Sequence, residues 1–216
     1  MKGESVSIDG WVMRLRRPEG VEPFPVLLML HGWTGDENSM WVFQRRLPQN
    51  ALLIAPRGLF PSENGGFSWQ ASQSGRWATL SDFQPAVEKL LTTINDRFFP
   101  EGDFSRLHVM GFSQGAACGY TLALMYPERL TSLAGLSGFL PGGASPWISP
   151  RRLAGLPVFI THGTKDERVP VTKARFSAEM LEKAGANVTY CEEDVGHKLS
   201  VKCFQGLEAF YQRIKI

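Results

Sequence analysis

Apolar runs of four or five residues recur at 26–30, 52–55, 107–110, 158–161 and 188–191, separated by longer amphipathic stretches. Each run sits near a Gly, Pro or Asn turn signal, which reads as a buried strand. Strands apolar on both sides, alternating with helices, predict a mostly parallel sheet covered by helices on both faces. Residues 5–16 alternate more loosely around Asp9-Gly10 and read as an antiparallel hairpin on the N-terminal sheet edge.

Helical periodicity is clearest after Ser81, where Phe83, Val87, Leu90, Leu91, Ile94 and Phe98 share one face. Ser81 and Gln84 have the spacing of a capping box. Val171, Ala174, Ala178 and Leu181 repeat the pattern, with Gly185 as a stop signal. Val201, Phe204, Leu207, Tyr211 and Ile214 predict a C-terminal helix, while 116–125, apolar nearly all round, predicts a helix buried against the sheet. No repeat, charge block or Ser/Gly linker interrupts the alternation, so a single α/β domain is expected over 1–216.

The stretch 56–80 has no clean period, yet holds Phe60, Phe67, Trp69 and Trp77 among Gly, Ser and Asn. A long irregular segment inside a compact domain is often a lid or binding loop. Aromatics folded under it as a satellite core are the other reading, and the two are not exclusive.

With 23 Lys+Arg against 21 Asp+Glu, the net charge of +2 gives no electrostatic footprint for nucleic acid. No apolar run approaches the roughly 20 residues of a membrane-spanning helix, and the first residues lack the apolar core of a secretory signal. Cys118, Cys191 and Cys203 are odd in number and lack metal-ligand spacing, which predicts free thiols in a cytoplasmic protein. Cys118 is assigned to packing. Dispersed histidines give no metal site.

Gly111-Phe112-Ser113-Gln114-Gly115 matches G-x-S-x-G. Alone the pattern is weak, but here a strand leads in and a buried helix leads out. That turn presents a serine hydroxyl at the carboxyl edge of the sheet, beside helix N-terminal N–H groups. Such a hydroxyl needs a base and a group that orients the base. His197 follows Ser113 between the last strand and last helix and fits the base. Asp166, after the strand at 158–161, fits the acid, with Glu167 and Asp194 as competitors. Donors for an oxyanion are expected from the Gln114 amide and from the turn His31-Gly32-Trp33-Thr34-Gly35, with Trp33 first and Thr34 in reserve. His31 and His162 read as structural.

The segments LMLHGWTGDE, VMGFSQGAA, LSGFLP, THGTKDERVP and DVGHKLS together resemble the phospholipase/carboxylesterase group of α/β-hydrolases, which includes acyl-protein thioesterases. The resemblance runs from Val26 to the C-terminus. It implies an α/β-hydrolase fold without a large cap, with Ser113, Asp166 and His197 as triad and Trp33 and Gln114 as oxyanion donors. By the same analogy Phe67, Trp69, Phe139 and Leu140 border the substrate pocket. Two departures bear on substrate: Gln70 stands where an aromatic commonly follows, and Trp33 is bulky for its place in the oxyanion turn. A large indole there favours a small acyl group or an aromatic ester.

The expectation is a serine esterase acting on a small-molecule ester or thioester of small to medium acyl chain, with no cofactor. Alternatives with the same machinery are an acyl-protein thioesterase or a lysophospholipase. A peptidase and a non-catalytic binding protein on this scaffold rank lower. A homodimer is compatible with the chain, and neither nucleic acid nor stable membrane insertion is expected.

Overall fold

The computed structural model describes residues 3–71 and 77–216. Its centre is one eight-stranded sheet. The strands are β1 (Glu4–Ile8), β2 (Trp11–Arg16), β3 (Phe24–Leu30), β4 (Leu52–Pro56), β7 (Gly102–Phe112), β8 (Ser132–Leu136), β9 (Pro157–Gly163) and β10 (Asn187–Glu193). A separate two-strand ribbon pairs β5 (Phe60–Pro61) with β6 (Phe67–Ser68). The sheet order is β1-β2-β4-β3-β7-β8-β9-β10. Pairing is parallel from β4 through β10, while β2 is antiparallel to both β1 and β4. The expected edge hairpin is therefore present, turning at Asp9-Gly10, both with positive φ.

Among the described residues four α-helices flank the sheet: α1 (Leu80–Thr93), α2 (Gln114–Met125), α3 (Val171–Lys183) and α4 (Val201–Arg213). Alternation along β3 decides which strand residues meet which helices. Val26, Leu28 and Leu30 pack in one core with Phe83 and Leu90 of α1, Tyr120 and Leu124 of α2 and Leu181 of α3. Leu27 and Met29 point to the other face, where Leu207, Phe210 and Tyr211 of α4 close over them. This is the architecture of an α/β-hydrolase, and no large cap is present among the described residues.

Two local expectations are corrected. The capping box of α1 lies not at Ser81 and Gln84 but at Thr79 and Asp82, whose Oδ2 accepts the Thr79 N–H at 2.7 Å and hydroxyl at 2.8 Å. Gln84 instead donates to Glu88 one turn on, at 2.8 Å. Of the three cysteines, only Cys118 is free and buried. Cys191 and Cys203 form a disulfide, with Cα atoms 5.6 Å apart, because the short connection from β10 folds the first turn of α4 back against that strand. A twelve-residue separation in sequence carries no sign of that proximity.

The 56–80 stretch divides. Trp69 is fully buried, its Nε1–H donating to the His31 carbonyl at 2.8 Å, whereas Trp77 is 44% exposed. Trp69 thus packs as a core residue beneath the segment, while Trp77 does not. Its part at 72–76 lies outside the described residues.

Candidate active site

β7 ends and α2 begins at a turn so tight that Ser113 has φ 54° and ψ −115°. A non-glycine residue in this region costs about 1–3 kcal/mol and persists only where its surroundings impose it. The imposing contacts are visible in the flanking glycines. A Cβ on Gly111 would collide with the Gly115 carbonyl, and one on Gly115 with the Leu30 carbonyl of β3. Only hydrogen at these two positions lets helix and strands close to this distance.

Ser113 Oγ lies 3.0 Å from His197 Nε2, and His197 Nδ1 lies 2.6 Å from Asp166 Oδ2. Since a carboxylate only accepts, Nδ1 carries the proton and Nε2 is left to accept the serine O–H. The Asp166 side chain is fully buried and that of His197 is 13% exposed. Asp166 Oδ1 accepts the backbone N–H groups of Arg168 and Val169, each at 2.9 Å. This fixes the carboxylate in the loop after β9.

The competitors are elsewhere. Asp194 pairs with Lys165 at 2.8 Å on the surface, and Glu167 is exposed. His162 stands behind Asp166, with Nε2 donating to the Val169 carbonyl at 2.8 Å. Burial lowers its pKa, so this imidazole stays neutral. His31 is likewise held neutral by burial. Its Nδ1–H donates to the Gly32 carbonyl at 2.6 Å, and its Nε2 accepts the Gly58 N–H at 2.7 Å. It thereby joins the turn after β3 to the segment after β4.

That turn lies against β6. The Thr34 N–H donates to the Phe67 carbonyl at 3.0 Å and is thus already committed. The Gln114 side chain anchors the same segment, its Oε1 accepting the Trp69 N–H at 3.0 Å. The backbone N–H of Gln114, first in α2, has no partner one turn earlier in its own helix.

Ser113, His197, Gln114 and Trp33 open into a cavity of about 710 Å³. Of the four expected pocket residues, Phe139 lines it, edge-on to Trp77 with ring centroids 4.9 Å apart. Trp69 and Leu140 are core residues, and Phe67 packs under the Arg57 guanidinium, 4.4 Å from its ring centroid. The cavity wall instead includes Gln70, Trp77 and Arg168. Arg168 could have been found in the sequence, because a residue two beyond Asp166 returns to the same rim. A second cavity, of about 590 Å³, shares Gly32, Trp33, Thr34 and Phe112 with the first. Met40, Phe43, Leu199 and Phe204 make its apolar lining. No group of His, Cys, Asp and Glu among the described residues could hold a metal ion.

A family-wide sequence pattern described as Phospholipase/Carboxylesterase matches residues 18–215. The chain belongs to the phospholipase/carboxylesterase family. Among its relatives, acyl-protein thioesterase 1 of Eremothecium gossypii is 31% identical over 170 residues, covering 68% of each chain. Acyl-protein thioesterase 1 of Schizosaccharomyces pombe is 36% identical over 77 residues, or 35% of this chain and 34% of the relative. Carboxylesterase SOBER1 of Arabidopsis thaliana is 28% identical over 130 residues, covering 59% and 57%. The matches to these last two thus span about a third and somewhat over half of the relatives' lengths. The carboxylesterase of Bacillus cereus has the same fold, with TM-score 0.83 at 24% identity over 95% of both chains.

Proposed function

We propose that the protein is a serine hydrolase of small-molecule carboxylic esters. The observation that carries this reading is the unbroken chain of hydrogen bonds from Ser113 through His197 to Asp166, opening into a cavity at the carboxyl edge of the sheet. Ser113 Oγ attacks the ester carbonyl while its proton passes to His197 Nε2. Asp166 holds the imidazole in the required tautomer and stabilises the imidazolium. The N–H groups of Trp33 and Gln114 receive the oxyanion, since the Thr34 amide is spent on Phe67. His197 then protonates the departing alcohol, and water releases the acid from the acyl-enzyme by the same steps.

Family membership supports the reaction type, and the relatives' names extend it to thioesters, which the same machinery would cleave. The Trp33 indole, 38% exposed, stands between the two cavities. This favours short acyl or aromatic esters over long chains. No described helix is long and apolar enough to cross a membrane. The Cys191–Cys203 bond fits oxidising surroundings better than the cytoplasm expected from the sequence.

A p-nitrophenyl ester series with matching thioesters, together with fluorophosphonate labelling, tests the reading. Turnover and labelling that vanish in Ser113→Ala are expected, with the best rates at short chains. A wild type that neither turns over nor labels overturns the hydrolase reading, and a rate peak near twelve carbons overturns the short-chain preference.

A further inference from the structure

One wall of the cavity over Ser113 is built from groups that the ester chemistry does not use. Arg168 lines it, and apart from His197 it is the only ionisable side chain among the described lining residues. Its backbone is tied to Asp166 Oδ1, so its Cα is fixed relative to the proposed triad. Its guanidinium has neither an ion pair nor a hydrogen bond among the described residues.

That isolation contrasts with the neighbouring acids. Asp194 is held by Lys165 at 2.8 Å, Glu192 by Arg175 at 2.6 Å and Glu37 by Arg57 at 2.9 Å. Asp166 is committed to His197 and two backbone amides. Glu167 is exposed and does not line the cavity. A second cation reinforces the field, since Lys173 Nζ lies 4.8 Å from the ring centroid of Trp77, itself part of the wall. Beside them Gln70 is 8% exposed, and its Oε1 is buried without a partner among the described residues. That oxygen accepts only and calls for a hydrogen-bond donor, which a carboxylate does not supply, so the Arg168 guanidinium alone carries the recognition of an anion here.

We propose that this cavity takes esters whose acyl or alcohol part carries a carboxylate, with Arg168 as the residue that recognises it. The proposal rests on the esterase reading and adds the substrate class. A planar guanidinium offers two parallel N–H groups to a carboxylate, which one fork satisfies. A phosphate dianion is the poorer match, because among the described lining residues Arg168 is the only permanent cation, Lys173 lying against Trp77 outside that lining.

The test compares two pairs of esters in the wild type, Arg168→Gln, Arg168→Lys and Lys198→Gln. The acyl-side pair is the 4-nitrophenyl monoester of glutaric acid against 4-nitrophenyl valerate. The alcohol-side pair is 4-acetoxybenzoate against its methyl ester. The readout is the ratio of kcat/KM for charged over neutral ester, normalised to the wild type so that intrinsic reactivity cancels. In at least one pair Arg168→Gln should lower this ratio about tenfold, an allowance for a charge-assisted contact at a solvated rim. Arg168→Lys should keep part of it, and 0.5 M NaCl should shrink it in the wild type. Lys198, which lines the neighbouring apolar cavity, should leave the ratio intact when replaced. An unchanged ratio in Arg168→Gln for both pairs, or a loss that follows Lys198→Gln instead, overturns the proposal. If the wild type hydrolyses neither the charged nor the neutral esters, the esterase reading falls and takes this one with it.

Discussion

The inner end of the cavity and its mouth follow opposite rules. Inside, Asp166 accepts three hydrogen bonds of 2.6 to 2.9 Å, both ring nitrogens of His197 and of His31 have partners, and the Gln114 side chain holds the Trp69 backbone. At the mouth, among the described residues, Gln70 Oε1 is buried with nothing to accept from and Arg168 is unpaired. Groups that must act on developing charge work best when fixed beforehand, because no energy is then lost reorienting them. Groups that recognise a ligand must instead be free to meet it. The contrast separates the two roles within one cavity.

If the contrast is sound, damage to the inner end should cost orders of magnitude and damage to the mouth only small factors. Ser113→Ala should lower kcat by about a millionfold, by comparison with other serine nucleophiles of this kind. A loss of less than a hundredfold would place the reaction elsewhere. Asp166→Asn should reduce kcat about ten-thousandfold with an unchanged far-UV spectrum, because an amide can present N–H to Nδ1 and favour the wrong tautomer. Near wild-type activity in that variant would return Asp194 and Glu167 to contention.

Next in size is the disulfide. It closes a loop with His197 midway, six residues from either cysteine. A loop of this length corresponds to about 3 kcal/mol, so reduction by a dithiol should lower the unfolding free energy by that order in urea titrations. The inner end should feel it first, as a fall in kcat before any change in KM. A parallel rise in KM would mean that the mouth is being held by the same bond. Trp77→Ala should raise KM several-fold at nearly constant kcat, equivalent to about 1 kcal/mol. Steady-state kinetics on one short and one aromatic ester would read this, and a loss confined to kcat would erase the distinction between the two ends.

The smallest effect concerns pH. His162, buried behind Asp166, has a lowered pKa because burial disfavours its charged form. Below about pH 6.5 the unfolded chain therefore binds a proton that the folded chain refuses, and stability should fall with pH from there downward. Thermal melts between pH 5 and 8 should show this slope, and His162→Asn should flatten it. An unchanged slope in the variant would assign the proton uptake to another group, such as His108, whose buried ring has its pKa lowered to about 4.

The fold was largely legible because buried strands and amphipathic helices write their period into neighbouring residues. Continuous runs such as 26–30 and the stripe from Phe83 to Leu90 carry that signal directly. The three residues of the hydrogen-bonded chain were legible for another reason, since each lies just beyond a strand whose carboxyl end faces the same rim. Pocket residues were less so. Phe139 lines the cavity, but Trp69 and Leu140 went to the core, because an aromatic or aliphatic side chain reads the same in sequence whether it faces substrate or packing.

By itself, the order of apolar runs and turn residues determined an α/β sheet with Ser113, Asp166 and His197 at one edge. Local periodicity and backbone direction suffice for that. Tertiary structure alone decided that Cys191 meets Cys203, that the Thr34 amide is consumed by Phe67, and that Arg168 faces the cavity without a partner among the described residues. Those outcomes depend on distances between segments that the chain brings together only when it closes, and no spacing along the sequence encodes them.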